Sequence, residues 1–275
     1  AATQRIRVGS GGVMLPNPAP LMVAERLKML EALFPGRIDL GLGRAPGTDQ
    51  TTMHALRQRF DPRGGDDFIE RLVELTLWET RNFPDGHPYH NVIAMPEDAP
   101  LPPIWLLGSS DYSAQLAAQV GMGFAFAHHF ASHDAADAMI HYRAHFKPSN
   151  WRETPYAILA IAVIMAETDE EADRLATSAD LNRLLRDRGQ YRPLPSIEEA
   201  QAYPYSDAER ASIARNRSRL FVGSPQTVME KITPLIETCK ADEVMVITAT
   251  YDHDARKRSY SLLADAFGIG KQAAA

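Results

Sequence analysis

The regular alternation of short apolar runs with longer amphipathic ones constrains this chain more than any other feature. Arg5–Gly9, Arg37–Gly43, Ile104–Leu107, Phe124–Ala127, Tyr156–Met165 and Glu243–Thr248 read as six strands. Between them apolar residues recur at helical spacing. Val23, Leu27, Leu30 and Phe34 do so ahead of the stop signal Pro35-Gly36, and Val228, Ile232, Ile236 and Cys239 do so behind Ser224-Pro225, an N-cap followed by proline at the first helical position. Further helices are expected from Ser113 to Val120, about Asp134 to Phe146, Asp169 to Arg188 and Arg256 to Phe267. A helical region also reaches Arg81, broken at Asp61-Pro62-Arg63-Gly64-Gly65. A turn is expected at Phe83–Pro88, a loop or short hairpin from there to Pro103, and a polar loop through Tyr203–Tyr205. Strands alternating with helices in this way make a parallel sheet covered by helices, an α/β fold.

The polar segments that follow the strands are spread over the whole chain. A site assembled from the loops of every strand suits a TIM-type (β/α)8 barrel better than a doubly wound sheet. Such a barrel has eight strands, and only six are read here, so two βα units are unaccounted for. One barrel domain is expected over residues 1–270, with a frayed tail at 271–275.

Composition sets the outer bounds. Of 275 residues, 45% are apolar and 23% charged, which is enough for a full core. The net charge of -6 argues against a nucleic-acid partner. No uncharged apolar run is long enough to span a membrane, and the N-terminal residues lack the pattern of a secretory signal. Cys239 is the single cysteine, which excludes an internal disulfide and fits a reducing cytoplasm; its helical phase points it into the core.

Three strands end in glycine or serine clusters: Gly9-Ser10-Gly11-Gly12, Gly41-Leu42-Gly43-Arg44 and Gly108-Ser109-Ser110. Neither of the first two is a dinucleotide fingerprint. The first lacks the third glycine, and in the second Gly47 falls one place late. Gly108-Ser109-Ser110-Asp111-Tyr112-Ser113 runs from a strand into a helix, whose free N–H groups suit a phosphate, with Ser110 and Ser113 as added donors. An ordinary N-cap by Ser110 or Asp111 explains the same residues. Arg44 points to the sheet's C-terminal end, where an anionic ligand or a carboxylate such as Asp49 would pair it. His128-His129-Phe130 closes a strand at that end, which makes His128 a candidate catalytic residue. His141 and His145 have metal-ligand spacing, but no carboxylate or cysteine completes a set, so no metal site is expected.

Together these segments resemble the bacterial-luciferase-like flavin-dependent monooxygenases, in their single-chain oxidoreductase branch. The likeness lies in Arg5–Pro16, Pro35–Arg44, Trp105–Ser110 and Phe221–Pro225, in that order and spacing. It implies a (β/α)8 barrel with flavin mononucleotide (FMN) at its C-terminal mouth. It also implies that this chain begins at the family's third strand and lacks the first two βα units. By the same resemblance, Gly11-Gly12 would form a non-proline cis peptide against the isoalloxazine. Arg44, Ser110 and Ser113 would hold the flavin phosphate, with Ser109 and Tyr112 beside them. The implied reaction runs from reduced flavin and O2 through a C4a-peroxide to oxygenation of a small organic substrate such as an aldehyde. Reduced flavin would come from a separate reductase, and the protein would be a homodimer. Two other readings share the barrel: hydride transfer with the deazaflavin F420, and a non-catalytic flavin-binding or structural subunit.

Overall fold

The computed structural model describes residues 3–45, 47–57, 67–131 and 133–269. The expected break at Asp61–Gly65 and the tail at 271–275 lie outside them. Within the described residues the α/β class holds: eight strand segments alternate with ten helices. They form two compact units, Ala1–Ala125 with His141–Tyr156, and Phe126–Ile140 with Ala157–Ala275.

The first unit opens with two short strands, β1 (Val8–Gly9) and β2 (Val13–Met14). Both run parallel to β3 (Ile38–Gly43): Val8 registers with Ile38, and Val13 with Leu42. They occupy one lane beside β3, interrupted at residues 10–12. The expected five-residue first strand is therefore shorter, because Ile6 and Val8 remain exposed and nothing buries the run that precedes Val8. Next in the sheet is β4 (Ile104–Gly108), parallel to β3 from Leu40↔Ile104 to Gly43↔Leu107, and then β5 (Gly123–Ala127). Leu40, Leu42, Ile104, Leu106 and Phe124 are buried, as parallel strands covered on both faces should be.

Helix α1 (Pro20–Leu33) packs against α3 (Phe68–Thr80), while α2 (Gln50–Arg57) lies between them in sequence. The buried stripe of α1 is Val23, Ala24, Leu27, Lys28 and Glu31. It is turned from the expected stripe, for Leu30 is exposed. Two charged groups take the inner positions because each has a partner: Lys28 Nζ lies 3.4 Å from Glu79, and the Glu31 carboxylate accepts the Gly36 N–H at 2.6 Å. From α3, Phe68, Leu72, Leu75 and Trp78 complete this core; each large side chain buried this way contributes about 1.5–3 kcal/mol. Helix α4 (Asp111–Val120) follows β4 and ends at Gly121, whose φ of +65° allows the reversal into β5.

Helix α5 (Ala135–Ala144) follows β5, and the second unit is built on β6 (Ala157–Met165). This strand pairs in parallel with β7 (Leu220–Gly223) and with β8 (Glu243–Ile247). Helices α6 (Asp169–Asp187), α9 (Pro225–Cys239) and α10 (His253–Ala266) pack against it, and α7 (Ile197–Ala202) and α8 (Asp207–Asn216) pack against α6. Ile164, Ala172, Leu175, Ala176, Ile197 and Val222 form one core cluster here. The cap expected at Ser224 is present, with Thr227 N–H donating to its hydroxyl, and Cys239 is buried. Burial pushes that thiol up to about 11.

The strand count of six is thus corrected to eight segments. The two added are β2 and β7, each too short to show a period of its own. The polar stretch around Tyr203–Tyr205 is flanked by the unexpected helices α7 and α8. Ser196 and Ser206 cap them, and Ser206 with Glu209 forms a reciprocal capping box. No described helix is long and apolar enough to cross a membrane.

Candidate functional site

In the first unit the segments following β1, β3 and β4 lie at the same end of a parallel sheet, so the three glycine and serine clusters share that end. The first is stitched to the middle of β3. Ser10 Oγ donates to the Gly41 carbonyl at 2.9 Å and accepts the Gly41 N–H at 3.0 Å. This close approach explains two glycines. A Cβ on Gly41 would stand 2.2 Å from the Ser10 carbonyl oxygen, and one on Gly12 would stand 2.5 Å from Leu107 Cδ1 and 2.9 Å from the Gly41 carbonyl oxygen. Gly11 differs, because nothing lies within 4 Å of where its Cβ would be. The implied cis bond is corrected here: Gly11–Gly12 is trans, and the cis bond among the described residues is Met95–Pro96. The Ser10 bonds hold the loop with the ordinary trans geometry, so nothing in it forces the costlier isomer.

The third cluster leads into α4. Ser110 is its N-cap in extended conformation, but its side chain makes no capping bond. The ordinary-cap reading of Ser110 is therefore not met, and its hydroxyl is not spent on the helix end. Ser113 folds back instead, its hydroxyl donating to the Ser110 carbonyl at 2.7 Å. That fold requires glycine at 108, since a Cβ there would sit 1.9 Å from Ser113 Oγ. Ser109 lies in the bend between Gly108 and Ser110.

Arg44 joins the second cluster to the third. Its guanidinium lies over the Tyr112 ring, 4.5 Å from the centroid, which brings a cation from the end of β3 to the first turn of α4. Asp49, the alternative partner for Arg44, has its carboxylate on Thr52, accepting the N–H at 3.0 Å and the hydroxyl at 2.7 Å. These bonds hold its carboxyl below the usual range. Arg44, Ser109, Ser110, Tyr112 and Ser113 thus lie around one helix N-terminus. An uncapped helix start beside a guanidinium fits an anionic group such as a phosphate. The open side of Gly11 leaves bare backbone facing space at the same end of the sheet.

His128 lies in the second unit, first in the 3₁₀ turn His128–Phe130 that follows β5. Its ring stacks on Phe221 of β7, 5.6 Å between centroids at 22°. Its Nδ1 is buried with no hydrogen-bond partner among the described residues, an omission that costs about 1–3 kcal/mol. Burial first, then the neighbouring His129 and Arg219, hold its pKa below the usual histidine value. His129 is shifted down by burial too, but its Nδ1 lies 3.2 Å from the Ala160 carbonyl of β6. Thr248, directly after β8, also carries a buried hydroxyl without a partner among the described residues. Sequence reasoning counted Phe221 in the family likeness and Thr248 at the end of a strand, but gave neither a role at a site. His141 and His145 stack at 4.1 Å, and His145 Nδ1 lies 3.0 Å from the His141 carbonyl of its own helix.

A family model described as luciferase-like monooxygenase matches residues 1–239. The chain belongs to that family. It is 41% identical to a luciferase-like monooxygenase of Escherichia coli K12, over 96% of this chain and 78% of the relative. It is 35% identical to the N-acetyl-S-alkylcysteine monooxygenase of Bacillus subtilis, over 99% of this chain and 81% of the relative. The crystal structure of apo-MsnO8 superposes with a TM-score of 0.85 at 37% identity, covering 97% of this chain and 78% of that one.

Two more distant structures share the fold alone. One is the FMN complex of the oxygenating constituent of 3,6-diketocamphane monooxygenase from Pseudomonas putida (TM-score 0.59, 21% identity, 95% of this chain and 78% of that one). The other is an F420-dependent secondary alcohol dehydrogenase (TM-score 0.67, 12% identity, 96% and 80%). These relationships make the chain a member of a monooxygenase family with an α/β fold of the TIM-barrel kind.

Proposed function

We propose that this protein is a flavin-dependent monooxygenase that uses reduced FMN and O2 to oxygenate a small organic substrate. The observation that carries the reading is the meeting of Arg44 with the uncapped start of α4 at Tyr112. There Arg44 would supply the charge for the FMN phosphate. Ser109, Ser110 and Ser113 would offer hydroxyls, and the first N–H groups of α4 would donate along the helix dipole. Gly11 and Gly12 would let the isoalloxazine lie against bare backbone, Gly11 through its open side and Gly12 as part of the lane that Ser10 fixes to β3.

Bound reduced flavin supplies the reactivity toward oxygen, while this chain's residues bind, orient and exclude water. The absence of a dinucleotide fingerprint suits a protein that receives reduced flavin from a separate reductase. An aldehyde and an N-acetyl-S-alkylcysteine are the first substrates to try, the second because a relative is named for that activity.

The test has two stages. Fluorescence quenching of FMN on titration with the protein is expected to saturate. Oxygen uptake with enzymatically reduced FMN is then expected to depend on octanal or N-acetyl-S-benzylcysteine. Absence of saturable FMN binding overturns the reading. Substrate oxidation with F420 and no oxygen uptake identifies hydride transfer instead, and flavin binding without oxygen consumption identifies a non-catalytic subunit.

A further inference from the structure

We infer that Met14 is an oxidative modification site: conversion of its thioether to the sulfoxide displaces Arg44 and lowers the affinity for FMN. This rests on the monooxygenase reading and adds regulation to the same flavin corner. Met14, Gly43, Arg44, Gly47 and Tyr112 all belong to the first compact unit.

Met14 and Gly43 are register partners in the parallel pair of β2 and β3, so glycine at 43 leaves bare the face that the thioether covers. A Cβ on Gly43 would stand 2.9 Å from Met14 Sδ and 3.4 Å from its Cε. Gly47 returns to the same side chain. Its φ of +70° is a left-handed turn, and a Cβ there would stand 2.9 Å from Met14 Cγ and 3.5 Å from Sδ. One thioether thus sits against the glycine directly before Arg44 and the glycine three residues after it. Met14 is half-buried, so a small oxidant reaches it, whereas Met122, Met139 and Met165 are buried. Met22, Met29, Met95 and Met245 are exposed.

The oxidant is hydrogen peroxide, which forms when reduced flavin passes two electrons and two protons to O2 with no substrate to oxygenate. The sulfur lone pair attacks one peroxide oxygen, and the O–O bond breaks. The transferred oxygen gives its proton to the departing hydroxide, so the products are sulfoxide and water. Sulfur loses two electrons and the peroxide gains them. A flexible apolar group becomes a polar, chiral one. The new oxygen needs room where Gly43 and Gly47 already close on the sulfur, and close packing passes that demand to the adjoining backbone. Arg44 moves with Gly43 and loses its place over Tyr112. Turnover without substrate thereby loosens the protein's hold on its own flavin, and reduction of the sulfoxide restores it.

The experiment treats the full chain with hydrogen peroxide, follows sulfoxide at each methionine by peptide mass spectrometry, and titrates FMN by fluorescence quenching. Each variant is compared with its own untreated sample. Wild type is expected to lose about ten- to hundredfold in FMN affinity in step with Met14 sulfoxide, the worth of a charge-assisted contact. Methionine sulfoxide reductase should restore that affinity. Met14→Leu should keep its own affinity through the treatment, whereas Met29→Leu combined with Met95→Leu should lose affinity as wild type does. In Arg44→Ala the sulfoxide should add no further loss, because both changes act through one group. FMN affinity that survives full conversion of Met14, or a Met14 as resistant to peroxide as buried Met139, overturns the role of Met14. A loss as large in Arg44→Ala as in wild type overturns the route through Arg44. Failure of untreated wild type to bind FMN overturns the monooxygenase reading and this use of Met14 with it.

Discussion

The guanidinium of Arg44, at the end of β3, lies 4.5 Å from the ring centre of Tyr112, in the first turn of α4. The contact fixes a cation beside a helix start whose N-cap side chain is unused. If that corner holds the FMN phosphate, Arg44→Ala should weaken FMN binding by about 1.5–3 kcal/mol, the worth of a charge-assisted hydrogen bond. Arg44→Lys should lose less, keeping charge but not the planar group that lies on Tyr112. Fluorescence titration gives both values. Equal affinity in wild type and Arg44→Ala would mean that the guanidinium serves the fold alone.

Gly11 and Gly12 separate ligand from fold. A Cβ on Gly12 meets Leu107 and the Gly41 carbonyl, so Gly12→Ala should destabilise the protein by about 1–3 kcal/mol, as overpacking does. A Cβ on Gly11 meets nothing, so Gly11→Ala should leave stability within about 0.5 kcal/mol. Its effect should fall on FMN affinity instead. Urea denaturation of the flavin-free protein, set beside FMN titration, measures the two effects separately. A Gly11→Ala variant that binds FMN as wild type does removes Gly11 from the flavin site.

The same pair of glycines marks how far the sequence could be read. Strands β3, β4 and β6 stood out because they are apolar on both faces, and the glycine and serine clusters were visible as letters. What those glycines make room for was not. Gly12 and Gly41 yield to the chain's own backbone, Gly108 to Ser113, and only Gly11 faces space; one letter serves all three purposes. Strand β7 escaped because four residues carry no period, and its register comes from β6. Helices α7 and α8 escaped because they are short and polar, although Ser206 and Glu209 stand at the spacing of a capping box. The pairing of Arg44 with Tyr112 and of His128 with Phe221 depends on the tertiary fold, which no local pattern encodes.

Cys239 offers a test of packing without a ligand. The thiol is buried at the end of α9, and burial raises it to about 11. Thiolate is the reactive form, so the native protein at pH 8 should react with 5,5′-dithiobis(2-nitrobenzoate) far more slowly than the protein in concentrated urea. A stoichiometric fast reaction in native buffer would place Cys239 on the surface.

Glu209 ties α8 to its neighbours and gives an acid-side signature. Its carboxylate accepts the Ser206 N–H at 2.6 Å and the Ser206 hydroxyl at 2.7 Å, receives the Tyr203 hydroxyl, and pairs with Arg188. The Ser206 bonds come first among the causes that hold its pKa at about 2, below the ordinary glutamate value. A carboxyl whose folded pKa is depressed binds protons more readily when unfolded. Its contribution is therefore complete above the unfolded value, near 4.3, and fades as pH falls toward 2. Glu209→Gln should lower the melting temperature at pH 7, and the gap to wild type should narrow between about pH 5 and 3. Thermal melts of both proteins across that range test this, and a gap that stays constant would show that Glu209 acts through packing rather than charge.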